Sequence, residues 1–167
     1  MGKAYIHGYD PSEKRRLQDQ ANTLVDLFHS DTSYSFGSRI LEVGCGVGSQ
    51  TITLARKSPN ASFLSIDISE ESISEAREAL EIRGLNNVQF LCADIFNFDI
   101  ETEPFDHVFV CHVLEHLSQP EKALSILQNL IKVGGTITVI EGDHGSTYFY
   151  PDSESAQKVI QCQVELQ

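Results

Sequence analysis

Apolar positions along this chain follow two spacings, short continuous runs and a helical period of three to four residues. Runs rich in Val, Ile, Leu and Phe predict strands at 39–45, 62–68, 88–95, 105–113 and 136–142. Helical spacing predicts helices at 11–30, 49–58 and 153–167. Two more begin at Ser69, where Gly84 ends the helix, and at Pro120, where residues 132–135 end it. Strands that alternate with helices favour βαβ units, so the sequence predicts an α/β fold with a parallel sheet.

Three glycines follow the first strand at alternate positions (Gly44, Gly46 and Gly48), directly before a helix. Ligands bind open α/β sheets at such a place, because loop amides and a helix N-terminus meet outside the strand end. A dinucleotide fingerprint would need glycine at position 49, where Ser49 stands. Glu42, two residues before the loop, disfavours a pyrophosphate and favours a cationic ligand.

Acidic residues also end the second and third strands. Asp67 is placed to accept both hydroxyls of a ribose, and Asp94 could meet an adenine amino group. Because the carboxyl ends of parallel strands meet at one edge of the sheet, these acids and Glu42 are expected at one site.

With these features the sequence resembles the class I S-adenosylmethionine-dependent methyltransferases, and within them the small type 11 group. The matching stretches are ILEVGCGVG, SIDIS, CADI, FDHVFVCHVLEHL, PEKAL and GGTITVIEG, in the family's order across residues 35–142. The resemblance implies a Rossmann-like, doubly wound, mostly parallel sheet. It implies an N-terminal helical cap at 1–34, a cofactor-binding domain at 35–167, and methyl transfer from S-adenosylmethionine by in-line displacement.

The resemblance also implies which residues contact the cofactor. The methionine part would meet the glycine loop and the end of the fourth strand, with its ammonium group held by Glu42. The ribose would meet Asp67, the adenine would meet residues after the second and third strands, and the N-terminal segment would close over both. The implied contacts are Glu42, Gly44, Cys45, Gly46, Gly48, Asp67, Ile68, Ala93, Asp94, Ile95, His112, Val113, Tyr9 and Gln20.

The stretch His112-Val-Leu-Glu115-His116 has the H-x-x-E-H spacing of an inverted zinc peptidase motif. That chemistry needs both histidines on one helix, whereas here a strand leads into the stretch and the next helix begins near Pro120. We therefore expect no bound metal. NAD-dependent redox chemistry and a noncatalytic nucleotide-binding module remain further alternatives.

Two histidines are candidates for a general base, which is needed only if the acceptor enters protonated. His116 could instead cap a helix or bind a loop carbonyl. His144 lies with Glu141 and Asp143 after the fifth strand, where the three could bind substrate or assist deprotonation, although polar loops are also common there for solvation alone.

The charge balance bounds the partners. With 24 acidic and 12 basic residues the net charge is −12, which repels nucleic acid and anionic lipid and favours a small-molecule acceptor. No apolar run approaches the roughly 20 residues of a membrane span, and the N-terminus lacks a secretion signal. Four cysteines without a C-x-x-C pair favour a reducing, cytoplasmic setting.

The resembling family completes its sheet with two further strands, the last antiparallel beside the fifth, and we expect both to be lacking here. The fifth strand would then be an edge, which invites pairing with another chain. We expect these residues either to belong to a longer protein or to form a homo-oligomer through that edge. Alone, they should self-associate and be less stable than a version with both strands.

Overall fold

The computed structural model of the chain describes residue 19 and residues 23–98 and 102–166. Its strands are β1 (Arg39–Val43), β2 (Ser62–Asp67), β3 (Val88–Cys92), β4 (Phe105–Cys111) and β5 (Ile131–Ile140). Its helices are α1 (23–28), α2 (Ser49–Lys57), α3 (Glu70–Glu81), α4 (Pro120–Asn129) and α5 (Glu154–Leu166). The five predicted strands and the predicted helices after residue 48 are thus all present.

The five strands form one parallel sheet in the order β3-β2-β1-β4-β5. The chain moves outward from β1 to β3 and then returns to place β4 on the other side of β1. The strand order reverses at this point, and ligands of open α/β sheets bind outside the strand ends there. The predicted parallel α/β sheet is confirmed.

Both faces of the central strands are buried, as their continuous apolar runs predict. On one face Leu41 packs in a cluster with Leu127 of α4. On the other face Ile40 and Phe109 pack with Leu54 of α2. Helices therefore cover both faces, which confirms the doubly wound, Rossmann-like architecture.

Helix α3 begins and ends where its sequence predicts. The Ser69 hydroxyl accepts a hydrogen bond from the Ser72 N–H at 3.2 Å, a cap of the kind that stabilises a helix by about 1 kcal/mol. Past the other end, Gly84 has a φ of 66° and its N–H donates to the Glu81 carbonyl at 3.0 Å. Local capping chemistry thus fixes the length of α3.

Strand β5 begins at Ile131, whereas the sequence pattern predicted a helix to residue 135 and a strand from 136. Ile131 pairs with Phe105, and the next aligned pair is Thr136 with His107. Residues 132–135 therefore form a bulge opposite one residue of β4. A Cβ at Gly135 would lie 2.4 Å from the Ile131 side chain, so glycine permits the bulge instead of ending a helix.

Within the described residues, β5 is one edge of the sheet. Val133 and Val139 on this strand are exposed. Helix α5 lies against the turn His144–Ser146, and its Val159 and Val164 are also exposed. The expected fifth-strand edge is present in this five-stranded sheet, and self-association through it stays a prediction.

Helix α1 is tied to the sheet by the buried residue His29. Its Nδ1 lies 2.7 Å from Thr32 Oγ1, its Nε2 lies 2.6 Å from Gln50 Oε1, and its ring stacks on Phe109 at 5.6 Å. Burial lowers the pKa of His29, so the imidazole remains neutral. Most of the predicted helix 11–30 lies outside the described residues.

None of the helices in the described ranges is both long enough and apolar enough to cross a membrane. The four cysteines of the chain are free thiols. Burial raises the pKa of Cys45 and raises that of Cys111 to about 12, so both remain neutral side chains of the interior.

Candidate active site

The glycine loop joins β1 to α2 at the carboxyl edge of the sheet. Its first two N–H groups, from Gly44 and Cys45, donate to the Ile66 carbonyl oxygen in β2 at 2.8 and 3.0 Å. A Cβ on Gly44 would lie 2.3 Å from Val113 Cγ2, so the loop packs directly against the residues after β4. A Cβ on Gly46 would meet nothing within 4 Å, so this peptide borders open space that a ligand can enter.

Asp67 ends β2 and is held by backbone groups on both sides. Its Oδ2 accepts a hydrogen bond from the Gly46 N–H at 2.8 Å, and its Oδ1 accepts one from the Ser69 N–H at 2.9 Å. Each carboxylate oxygen can accept two hydrogen bonds, so these contacts leave acceptor capacity. Asp67 therefore links the glycine loop to the start of α3 and can still bind hydroxyl groups.

Glu42 lies in β1, two residues before the glycine loop, and is only 2% exposed. Its Oε2 accepts a hydrogen bond from the Ser65 hydroxyl at 2.6 Å. Burial raises the pKa of Glu42 to about 7, although the bond from Ser65 opposes the shift. A carboxyl poised near neutrality ionises more readily when a cation comes near.

Asp94, the predicted adenine contact, satisfies a local turn. Its Oδ1 accepts from the Phe96 N–H and its Oδ2 from the Asn97 side-chain amide, both at 2.9 Å. The carboxylate thereby caps the short 3₁₀ turn Ile95–Asn97. A structural role for Asp94 is therefore visible, and its adenine contact stays a prediction.

The other residues predicted around an adenine differ in exposure. Ile68, just after β2, is 69% exposed, whereas Ile95 is 5% exposed and belongs to the core. The Ala93 N–H donates to the Asp67 carbonyl oxygen at 2.9 Å, which joins the ends of β2 and β3. Of these residues Ile68 offers the apolar surface at the sheet edge.

His112 follows β4 in a strained backbone conformation, with a φ of 55°. Such a conformation costs a non-glycine residue of the order of 1–3 kcal/mol and is concentrated at functional sites. Its N–H donates to the Ile140 carbonyl oxygen at 2.8 Å, and its ring meets Phe28 of α1 with the ring centres 5.5 Å apart. Among the described residues, its Nε2 has no hydrogen-bond partner although it is buried.

The H-x-x-E-H stretch does not form the helix that a zinc peptidase requires. It begins at the left-handed His112 and continues into a 3₁₀ turn of three residues, Leu114–His116. Glu115 lies between the histidines, with its Oε1 3.8 Å from His112 Nδ1 and 3.5 Å from His116 Nε2. The geometry is that of a carboxylate between two imidazoles in a loop.

Glu141, after β5, reaches back to this turn. Its Oε1 accepts hydrogen bonds from the Val113 and Leu114 N–H groups at 3.1 and 3.0 Å, and its Oε2 accepts a longer one from Glu115 at 3.5 Å. Ligand atoms of His112, Glu115 and Glu141 lie within 4.8 Å of one another, so they are also a candidate cation group. The sequence suggested a substrate role for Glu141 and gave no sign of these backbone contacts.

The structure brings Asp67 and Val113 each into contact with the glycine loop, and it places His112 and His116 on either side of Glu115. His144 begins the turn His144–Ser146 that follows β5. Tyr9 and Gln20 lie outside the described residues.

Comparison with known proteins shows the family. A family model described as a methyltransferase domain matches residues 35–164. An uncharacterized methyltransferase of Schizosaccharomyces pombe is 31% identical over 134 residues, covering 77% of this chain and 48% of that protein. The (S)-coclaurine N-methyltransferase of Papaver somniferum is 25% identical over 150 residues, covering 90% of this chain and 42% of that protein. The chain thus spans about half the length of these relatives, or less.

A solved structure shares the fold. The crystal structure of a SAM dependent methyltransferase from Aquifex aeolicus matches with a TM-score of 0.71 at 23% identity, covering 94% of this chain and 88% of that one. With the family match and the strand order, the chain belongs to the class I S-adenosylmethionine-dependent methyltransferases.

Proposed function

We propose that this chain binds S-adenosylmethionine at the carboxyl ends of β1, β2 and β4 and transfers its methyl group to a small-molecule acceptor. The observation that carries the proposal is the construction of the glycine loop. Asp67 fixes the loop through the Gly46 N–H, and Val113 packs against it at Gly44. The loop is thereby held on two sides beside open space.

The residues at this edge fit the chemical groups of the cofactor. The open side of Gly46 admits a ligand close to the backbone, and Asp67 keeps acceptor capacity for the two ribose hydroxyls. Ile68 offers an exposed apolar surface for the adenine. The buried carboxyl of Glu42 suits a cationic group, which would favour its ionised form.

The chain's task in the reaction is positioning. Bound S-adenosylmethionine supplies a methyl group on a positively charged sulfur, which is already electrophilic. The residues of the site must hold the cofactor and the acceptor in line and exclude water, and such orientation can contribute roughly 7–11 kcal/mol. Contact between Phe28 and His112 holds α1 against the end of β4, where it can shield the site.

His116 is our first candidate for the base that a protonated acceptor would need. Its Nε2 lies 3.5 Å from Glu115 Oε1, and a carboxylate at that distance stabilises the imidazolium that forms when the histidine takes a proton. His144 is the second candidate, because the turn after β5 lies at the same edge of the sheet.

A small molecule is the acceptor class we favour. A net charge of −12 disfavours nucleic acid and anionic membrane surfaces. The four free cysteines fit a reducing setting such as the cytoplasm. The relative from Papaver somniferum is by name a methyltransferase of a small molecule, (S)-coclaurine.

The proposal is tested by incubating the chain with methyl-labelled S-adenosylmethionine and three separate fractions: small-molecule extract, nucleic acid and protein. We expect label in the small-molecule fraction, and none with an Asp67→Ala variant. Label in nucleic acid or protein instead would contradict the acceptor class. Cofactor binding without labelling of any fraction would favour a noncatalytic binding module.

A further inference from the structure

We propose that Glu141 is a positioning residue for the cofactor site. Its carboxylate holds the turn after β4 so that Val113 supports the glycine loop at Gly44. The inference deepens the proposed function and rests on it, since the property that Glu141 controls is affinity for S-adenosylmethionine.

The first step is the hydrogen bonding of Glu141 to the turn after β4. Its Oε1 accepts hydrogen bonds from two successive N–H groups, of Val113 and Leu114, at 3.1 and 3.0 Å. Hydrogen bonds from backbone N–H groups to a charged acceptor are stronger than those between neutral groups. The carboxylate therefore joins the end of β5 to the end of β4 at the level of the site.

The second step is the contact between the turn and the loop. Val113 leaves no room for a side chain at Gly44, where a Cβ would lie 2.3 Å from its Cγ2. At its other side the loop is bonded to Asp67 through the Gly46 N–H at 2.8 Å. The loop is therefore held between Asp67 and a turn that Glu141 fixes.

The third step is the strain that precedes the turn. His112 has a φ of 55°, which a histidine keeps only where its surroundings impose it. Its N–H is bound to the Ile140 carbonyl oxygen at 2.8 Å, and the next two N–H groups are bound to Glu141. These three bonds to the end of β5 hold the backbone in this conformation.

Two other roles for Glu141 make different predictions. As a general base Glu141 would lose its chemistry on conversion to Gln, whereas a positioning residue that only accepts backbone hydrogen bonds would keep its function. As a metal ligand with His112 and Glu115 it would bind a divalent cation, which the spacing within 4.8 Å allows. Both alternatives are separable by experiment from positioning.

The test compares Glu141→Gln, Glu141→Ala and the control Glu121→Gln, an exposed acid in the first turn of α4. Calorimetry should show S-adenosylmethionine affinity about tenfold or more weaker in Glu141→Ala, since two hydrogen bonds to a charged group are lost. Glu141→Gln keeps an oxygen acceptor and should stay within about threefold of wild type, as should the control. Steady-state kinetics should show the change in KM for the cofactor with kcat preserved.

A double variant tests the route through Val113. Val113→Ala alone should weaken cofactor binding. The double variant, Glu141→Ala with Val113→Ala, should bind the cofactor almost as well as whichever single variant binds it less tightly, because both changes act through one contact. Fully additive losses would overturn that route.

Four results would overturn the proposal. The first is unchanged cofactor affinity in Glu141→Ala, and the second is a fall in kcat of about a hundredfold in Glu141→Gln at unchanged affinity. The third is stoichiometric metal in the wild-type chain that is lost in Glu141→Gln. The fourth is a lower melting temperature as the only effect of Glu141→Ala. Failure of the wild-type chain to bind S-adenosylmethionine would overturn the proposed function with it, and so is distinguishable from these.

Discussion

The two halves of the sheet's carboxyl edge are built differently. In the β1–β2 half, Asp67 accepts hydrogen bonds from the Gly46 N–H of the glycine loop at 2.8 Å and from the Ser69 N–H before α3 at 2.9 Å. In the β4–β5 half, Glu115 lies 3.5–3.8 Å from two imidazoles, and a strained His112 is held from outside by β5. The carboxylate of the first half is fixed by hydrogen bonds from backbone N–H groups, whereas the backbone of the second half is held in place by the end of β5 and by Glu141.

This difference fits the roles that we propose, in which the β1–β2 half contacts the cofactor and the β4–β5 half supports the glycine loop and carries the candidate bases. A cofactor common to a family needs the same fixed hydrogen-bonding groups and the same open backbone in every member. A methyl acceptor that differs among members needs side chains whose arrangement can change while the sheet stays intact. The candidate bases His116 and His144 both lie in loops of the β4–β5 half, and functional residues are common in loops.

The largest effect on cofactor affinity should come from removing the carboxylate of Asp67 in the β1–β2 half. Asp67→Ala should weaken S-adenosylmethionine binding about a hundredfold or more, because two charge-assisted hydrogen bonds of about 1.5–3 kcal/mol each are lost. Calorimetry measures the affinity directly, and Asp152→Ala on the exposed stretch before α5 is the control. Near wild-type affinity in Asp67→Ala would remove the distinction between the two halves.

The second effect concerns Glu42 and depends on pH. Its pKa is about 7 in the fold against an ordinary 4.5, so the folded chain binds a proton more tightly than the unfolded chain. The stability this contributes is fully present below pH 4.5 and is lost as pH rises to about 7. The loss should be on the order of 3 kcal/mol.

Glu42→Gln should not show that loss. Urea unfolding of the wild type and the variant at pH 4.5, 6 and 8 should therefore give a difference in their free energies of unfolding that grows with pH. At pH 8 the variant should be the more stable protein and should bind the cofactor more weakly, because the carboxylate is missing. The same change in the free energy of unfolding with pH in both proteins would contradict the account of Glu42.

The strands and the glycine loop of the β1–β2 half were predicted from the sequence, because alternating glycines after an apolar run form a recognisable motif, whereas the cofactor contacts of this half stay predictions. Glycines at alternate positions and an acid at the next strand end specify a loop whatever the rest of the chain does, and the bond from Gly46 to Asp67 lies inside one βαβ unit. The parallel sheet was also predictable, since long apolar runs indicate strands buried on both faces.

The β4–β5 half could not be predicted in the same way. The hydrogen bonds that Glu141 accepts from Val113 and Leu114 also lie inside one βαβ unit, but these residues form no motif along the chain that would specify the bonds. Spacing alone suggested a metal motif at His112 and His116, but the left-handed backbone at His112 changes the direction of the chain. The bulge of β5 was missed because glycines there resemble a helix end.

A smaller effect should follow from disturbing the boundary between the halves. Gly44→Ala adds a Cβ 2.3 Å from Val113 Cγ2 at a φ of +70°, so both overpacking and backbone strain destabilise the fold, by about 1–3 kcal/mol. Thermal melts should show the loss, and combination with Val113→Ala should recover part of it. Full stability in Gly44→Ala would mean that the two halves do not meet there.

The smallest effect concerns the β5 edge. We expect these residues alone to self-associate, and Val139→Lys should reduce this association because a charge on an edge strand opposes pairing. Light scattering after size-exclusion chromatography compares it with Val159→Lys on α5, which should behave as wild type. A wild-type chain that is monomeric at all concentrations would refute the prediction.

The most direct test of the central claim is calorimetric titration of the wild-type chain with S-adenosylmethionine, its demethylated product and NADH. The account predicts one-to-one binding of the first two and no measurable binding of NADH, because Glu42 and Ser49 do not suit a pyrophosphate. Tight binding of NADH, or no binding of S-adenosylmethionine by correctly folded protein, would contradict it.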